Sequence, residues 1–434
     1  MELNINNELE NDGNIWSDTG YKSQAKKISN TRLRELGLSQ DGLNFVETLE
    51  DLRKAPPNII IAKAVTTVHF VQNWSKKQFL KKNANYVMGL GVFQQLQFDF
   101  NKSNKKLLKP VMKFSKFYNP YIGQDLTDST ILIFRTGGIG DLLFIKPNLD
   151  YLKSKYPTCK IKFACGPQYQ PMVETWSCVD ELLDLPFALK HLIECDYHVL
   201  FEGVIERCKE SYKKNSYNLF SEWMGLNLPD ELLVPTQDAK PELVEKCQEI
   251  LDGWNLKKGD FILAQLRASS PIRTPNHQFW VDMFDKLTDK GYNIVLTDNP
   301  RQADSVDDFI KLVKNPNKIF NFCKHSESLD YSIALTSFAG MTLCTDSAFS
   351  HIAASLNIKT YGIFSPFPGF IRLKTYPFAD WVDAERHCAP CFLHSQEPCP
   401  QAGKDGYSPC YDELINTDDK LNKLIDKIVR HYLK

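Results

Sequence analysis

The chain has no apolar run approaching the ~20 residues that a membrane-spanning helix needs. Its first residues, Met-Glu-Leu-Asn-Ile-Asn-Asn-Glu, have neither the basic start nor the apolar centre of a secretory signal. A cytoplasmic protein without a membrane span is therefore expected. It has no surplus of charge either. Lys plus Arg number 52 and Asp plus Glu 53, a net of −1, so nothing global draws the chain to nucleic acid or to an anionic membrane. Internal repeats and an Asp-x-Asp pair are also missing. What is present is length: 434 residues, 43% hydrophobic, enough for two or three globular domains that need no disulfides. The 12 cysteines then read as reduced. Eight of them, Cys159, Cys165, Cys178, Cys195, Cys208, Cys247, Cys323 and Cys344, are scattered, several inside apolar runs, where they act as small hydrophobes. The other four, Cys388, Cys391, Cys399 and Cys410, crowd together near the end.

One stretch organises the rest. The apolar run Thr130 to Phe134 is followed by Arg-Thr-Gly-Gly-Ile-Gly-Asp141 and then by an apolar periodic segment. That is the order strand, tight turn, helix. Gly137, Gly138 and Gly140 permit unusual backbone angles and close approach of a ligand. The helix that follows opens with free N–H groups and a positive dipole end, and Asp141 stands at its start. The motif lacks the full spacing of a dinucleotide fingerprint and the Lys-Ser/Thr of a phosphate-binding loop. By itself it fits a plain capped turn as well as a site.

Residues 1 to about 30 are polar and read as a loose arm, and helical signals run from Thr31 to Ala55, with Leu33, Leu36 and Leu38 among them. Ile59 to Val68 reads as a strand; the lysines between Lys102 and Lys116 read as a solvated helix face. From Thr130 strands and helices alternate, with strands at Lys160–Cys165, Glu181–Leu185 and Tyr197–Phe201. A second alternating region starts near Gly259, with strands at Phe261–Gln265, Tyr292–Thr297, Ile319–Phe322, Met341–Cys344 and Lys359–Phe364. Such alternation predicts parallel sheets covered by helices on both faces. The cleft between two such halves is a natural ligand site. Leu421 to Tyr432 reads as an amphipathic helix packing back across the domains.

Two polar loops leave predicted strands in the second half. In the first, Ser269, Ser270 and Arg273 offer hydroxyls and a guanidinium, all donors suited to phosphate oxygens, with Arg267 as a helper. In the second, Asp346, Ser347 and Ala348 open a helix with small residues, which leaves amides accessible to an anion, and His351 follows one turn later. Either loop also fits simple capping. The cysteine set, C-x2-C-x7-C-x10-C, can close a tetrahedral thiolate site for zinc or iron; free thiols and a redox pair fit the same spacing.

In order, Gly-Gly-Ile-Gly-Asp-Leu, Ala-Ser-Ser-Pro-Ile-Arg, Cys-Thr-Asp-Ser-Ala-Phe-Ser-His-Ile-Ala-Ala and Thr-Tyr-Gly-Ile-Phe-Ser-Pro resemble the heptosyltransferase family, glycosyltransferase family 9, over about residues 129–390. The resemblance implies an α/β chain of GT-B type, two Rossmann-like domains facing a cleft. The domains are expected as an appended N-terminal domain at 1–128, an acceptor-side domain at 129–235, a nucleotide-sugar-binding domain at 236–385, and a Cys-rich loop with a C-terminal helix at 386–434. It implies an inverting sugar transfer from a nucleotide-diphosphate donor, ADP-heptose-like, to a hydroxyl of a glycan, lipopolysaccharide or protein. Asp141 matches the family's general base. Gly138, Gly140, Ser269, Ser270, Arg273, Asp346, Ser347, Ala348 and His351 fall in the donor-binding set. Arg273 stands near the family's phosphate-contacting Lys, and Ala348 where Gly is frequent. No catalytic metal is expected. A protein-modifying branch of the family has a similar cysteine set that holds an iron. An oligomer is compatible with all this, and so is a non-catalytic nucleotide-sugar-binding or assembly protein on the same fold.

Overall fold

The computed structural model describes residues 45–434 except 56, 72–76, 91, 94–95, 97–106, 394–397 and 404–405. The expected N-terminal arm, the helical signals before residue 45 and the lysines at 102, 105 and 106 lie outside the described residues. The chain divides into two compact units, Met1–Gly138 with Ile145–Leu232, and Ile139–Phe144 with Leu233–Lys434.

In the first unit, β1 (Ile59–Ala64), β4 (Asn85–Gly89), β5 (Leu108–Met112) and β9 (Phe187–Ala188) form an antiparallel sheet in the order β5-β1-β4-β9. β2 (Val68–Val71) and β3 (Lys77–Leu80) pair separately. Successive strand residues point to opposite faces, and β1 buries both. Ile60, Ala62 and Ala64 join Met88, Val92 and Phe93 in one core. Ile59 and Ile61 join Leu132, Phe134, Ala164 and Leu200 in another. The latter residues belong to a parallel sheet of β6 (Thr130–Phe134), β7 (Lys160–Cys165), β8 (Glu181–Asp184) and β10 (Tyr197–Leu200), ordered β10-β6-β7-β8. Covered strands read as continuous apolar runs, which is why Ile131 to Phe134 are all at 0% exposure.

The second unit holds six parallel strands: β11 (Phe261–Ala264), β12 (Asn293–Leu296), β13 (Ile319–Asn321), β14 (Met341–Thr345), β15 (Thr360–Phe364) and β16 (Ala379–Asp383). Their order is β13-β12-β11-β14-β15-β16. Ile262 and Ala264 face the helices His277–Asp289 and Asp418–Leu433; Phe261 and Leu263 face Pro241–Gly253 and Leu329–Thr336. The closing helix aligns Leu421, Leu424, Ile425 and Ile428 in one stripe, as the sequence predicts, but that stripe joins the second unit's own core instead of lying across domains.

Each parallel sheet reverses direction once. β6 to β8 run outward one way and β10 returns on the other side of β6; β11 to β13 run one way and β14 to β16 the other. At such a reversal the two loops leaving neighbouring strands diverge and open a crevice at the carboxyl edge. The reversal between β11 and β14 brings the Ser269–Arg273 loop beside Asp346–Ala348. The reversal between β6 and β10 brings the glycine turn beside Glu202.

Candidate active site

At the first reversal, β6 is followed by Arg135, which is buried at 3% exposure. Its Nε donates to the carbonyl of Gly137 at 3.0 Å and Nη1 to the carbonyl of Phe201 at 3.1 Å. The same guanidinium pairs with Glu206 through both carboxylate oxygens. Glu202 accepts from the Thr136 amide and from its hydroxyl, the latter at 2.6 Å. The glycine turn is thus tied to the strand on the far side of the reversal. Gly138, at φ 85° and ψ 105°, precedes the helix Ile139–Lys155 without a side-chain cap, and a left-handed φ of this kind needs a glycine. Asp141 lies in the first helical turn, half-buried, where the dipole favours a carboxylate.

Residues Ile139–Phe144 pack with the second unit. The Phe144 ring stands 4.7 Å from that of His351, edge-on. A Cβ on Gly140 would lie 2.9 Å from His351 Cδ2, so a larger residue there forces the ring to shift. His351 is buried, and burial, then repulsion from Arg372, lower its pKa to about 3 against a pull upward from Asp346. It is a neutral packing group at the helix start that carries Asp141.

The second reversal gathers Ser269, Arg273 and Asp346. Arg273 Nη1 donates to the Asp346 carbonyl at 3.0 Å and approaches Oδ2 at 3.5 Å; Nη2 donates to Ser269 Oγ. Ser270 is buried and its carbonyl accepts from Thr274 Oγ1 at 2.9 Å, which fixes the loop. Arg267 pairs with Asp298 at 2.9 Å. The helix Ala348–Ser355 starts after Ser347, whose side chain makes no capping bond, so the capping alternative is not what the geometry shows. Ala348 puts only a methyl at the start of that helix, and the first amides of a helix have no partner within it.

Besides Ser347 Oγ, four buried polar atoms around this edge have no hydrogen-bond partner: Gln265 Oε1 beyond β11, Thr297 Oγ1 and Asn299 Nδ2 beyond β12, and Thr345 Oγ1 at the end of β14. All four residues are at 9% exposure or below. Buried polar groups are normally satisfied, and a cluster that is not marks a place where a ligand or water completes the set.

Sequence reasoning missed Arg372, whose Nε donates to Asp346 Oδ1 at 3.2 Å, and Tyr411, whose hydroxyl donates to the Arg273 carbonyl at 2.9 Å. Arg372 sits in a short helix, Phe370–Leu373, with no motif around it. Tyr411 stands beside Cys410, and a buried phenol needing a partner was the one available signal.

The four cysteines are free thiols, Cys399 and Cys410 buried, Cys388 and Cys391 half-buried. Burial, then Cys410, Cys399 and Cys388 nearby, push the Cys391 thiol up. They are neighbours, yet among the described residues no three His, Cys, Asp or Glu side chains stand where they could hold a metal ion. Among the described residues this arrangement does not form the zinc or iron site expected from the spacing.

Residues 212–398 match the family described as glycosyltransferase family 9 (heptosyltransferase), so the resemblance carried by the motifs is borne out. The fold is similar to a family 9 glycosyl transferase from Veillonella parvula DSM 2008, at 14% identity and TM-score 0.52, over 69% of this chain and 98% of that one. It is equally similar to ADP-heptose lps heptosyltransferase II of E. coli, at 14% identity and TM-score 0.52, over 70% and 98%. These likenesses establish a GT-B architecture of two Rossmann-like domains. No curated protein sequence matches the chain. No helix among the described residues is long and apolar enough to cross a membrane.

Proposed function

We propose that the protein is an inverting glycosyltransferase that moves a sugar from a nucleoside-diphosphate donor to a hydroxyl. The observation that carries this reading is the uncapped helix start at Ser347–Ala348 with Arg273 bonded across the sheet reversal beside it. In this reading the donor diphosphate lies against those amides, Arg273 and Ser269. The acceptor oxygen attacks the anomeric carbon from the face opposite the diphosphate. The bond from that carbon to the phosphate oxygen breaks, and its electron pair leaves with the nucleoside diphosphate. The acceptor proton passes to Asp141. Guanidinium, hydroxyl and helix dipole are fixed before the reaction, so they stabilise the added negative charge without reorganising. The unsatisfied Gln265, Thr297, Asn299 and Thr345 atoms supply polar contacts for the nucleoside. An ADP-heptose-like donor is favoured by the family match, with a glycan, lipopolysaccharide or protein hydroxyl as acceptor.

The test is a mass-spectrometric screen of nucleotide sugars with the protein and its Asp141→Asn variant. Donor consumption is expected from the wild type, and the variant should lose about 10²–10⁴-fold in turnover while binding nucleoside diphosphate normally. Undiminished turnover in the variant removes the base. Binding without turnover in the wild type replaces the enzyme with a nucleotide-sugar-binding protein.

A further inference from the structure

Asp346 serves two arginines at once, and they hold it differently. Arg372 Nε bonds Oδ1 at 3.2 Å, and its guanidinium lies over the Phe367 ring at 5.0 Å. Arg273 reaches Oδ2 only at 3.5 Å; its closer bonds go to the Asp346 carbonyl and to Ser269. All three side chains are withdrawn from water, at 7%, 4% and 12% exposure for Arg372, Asp346 and Arg273. The contact between Arg273 and the carboxylate is the weak link of the three. It is also the one that a diphosphate must displace, because phosphate oxygens take an arginine in the same paired geometry as a carboxylate.

We propose that Arg372 is a positioning residue: it holds the Asp346 carboxylate so that Arg273 can exchange that carboxylate for the donor's diphosphate. The inference rests on the donor site described above. Without Arg372, a buried carboxylate keeps one cationic partner and draws Arg273 onto itself, in competition with the ligand. The charged and titratable groups facing Asp346 support this. Burial raises its pKa, but Arg372, then Arg273 and His351, lower it further, so it stays ionised. His351 is neutral above about pH 3, and burial holds the Cys344 thiol up at about 12 and the Tyr411 phenol well above its usual range. When Arg372 is removed, Asp346 loses its main counter-charge and becomes the group whose protonation changes in mildly acidic solution.

The experiment is calorimetric titration with ADP, GDP, UDP and inorganic pyrophosphate, at about pH 8 and about pH 5.5. The proteins compared are wild type, Arg372→Gln, Arg372→Lys and the double variant Arg372→Gln with Asp346→Asn. Taking each variant relative to wild type at the same pH cancels titration of the ligand. Arg372→Gln should bind about tenfold more weakly at the higher pH. That deficit should shrink at the lower pH, as Asp346 protonates and releases Arg273. Arg372→Lys should retain most of the affinity, and Asp346→Asn should relieve the deficit in the double variant. Wild-type affinity in Arg372→Gln, or a deficit equal at both pH values and untouched by Asp346→Asn, overturns the positioning role while the donor site stands. If wild type binds none of the four probes, the donor site itself fails, and this role with it.

Discussion

The two parallel sheets reverse in the same way, and both reversals are crossed by an arginine. In the first unit Arg135 and Thr136, leaving β6, reach the Phe201 carbonyl, Glu202 and Glu206 beyond β10. In the second, Arg273, leaving the β11 side, reaches Asp346 beyond β14. The crossings differ in what they leave over. Arg135 is held by two backbone carbonyls and by the carboxylates of Glu202 and Glu206, which ties the glycine turn across the reversal. Around Arg273 the carboxylate contact is long, the helix start has no side-chain cap, and buried polar atoms of Gln265, Thr297, Asn299 and Thr345 have no partner. Partnerless atoms are not confined to the second edge, since both side-chain amide atoms of Gln168, beyond β7, are buried without a partner too; what separates the crossings is how closely the arginine is held.

The comparison can be broken at either crossing. The largest effect is the one expected of Asp141→Asn, the carboxylate proposed as the base. Next is Arg135→Met. Arg135 is buried but Glu206 is 42% exposed and can be solvated once the arginine is gone, so the loss comes mainly from the two carbonyls left without a donor and is about 1–3 kcal/mol. Urea denaturation should show that loss, with nucleoside-diphosphate affinity retained. Unchanged stability would mean that Arg135 does not hold the turn. The smallest effect is a pH slope. His351 titrates near 3 when folded against 6.5 ordinarily, so between those values the unfolded chain binds the extra proton. Its contribution to stability is complete above about pH 6.5 and drains away as pH falls toward 3. His351→Gln should flatten the acid side of the stability curve; an identical slope in that variant would show that the ring is not held neutral.

Much of this was legible in the residues. Thr130–Phe134 and Lys160–Cys165 match the observed strands to the residue, because covered parallel strands carry uninterrupted apolar runs bounded by glycine or proline. The loops at Ser269–Arg273 and Asp346–Ala348 were legible as polar breaks after such runs, and their meeting follows from the strand order. β4 and β5 were not, since their sequences mix lysine, proline and asparagine with apolar residues and give no clean alternation. β16 was missed because an edge strand, Ala-Asp-Trp-Val-Asp, is only half-buried along its length. The helix Pro241–Gly253 was not read from the sequence, although Leu243, Cys247 and Leu251 recur at four-residue steps. Arg372 could not be found by pattern: its role depends on the chain returning to Asp346 from 26 residues away.

The central claim is that the second crossing receives the donor's diphosphate, and the most direct measurement is calorimetric binding of nucleoside diphosphates to Arg273→Ala. The structure predicts an affinity about 10–100-fold below wild type, as expected for loss of a charge-assisted contact, with Arg135→Met binding as wild type does. Equal affinity in Arg273→Ala and wild type, or a greater loss in Arg135→Met, would contradict it.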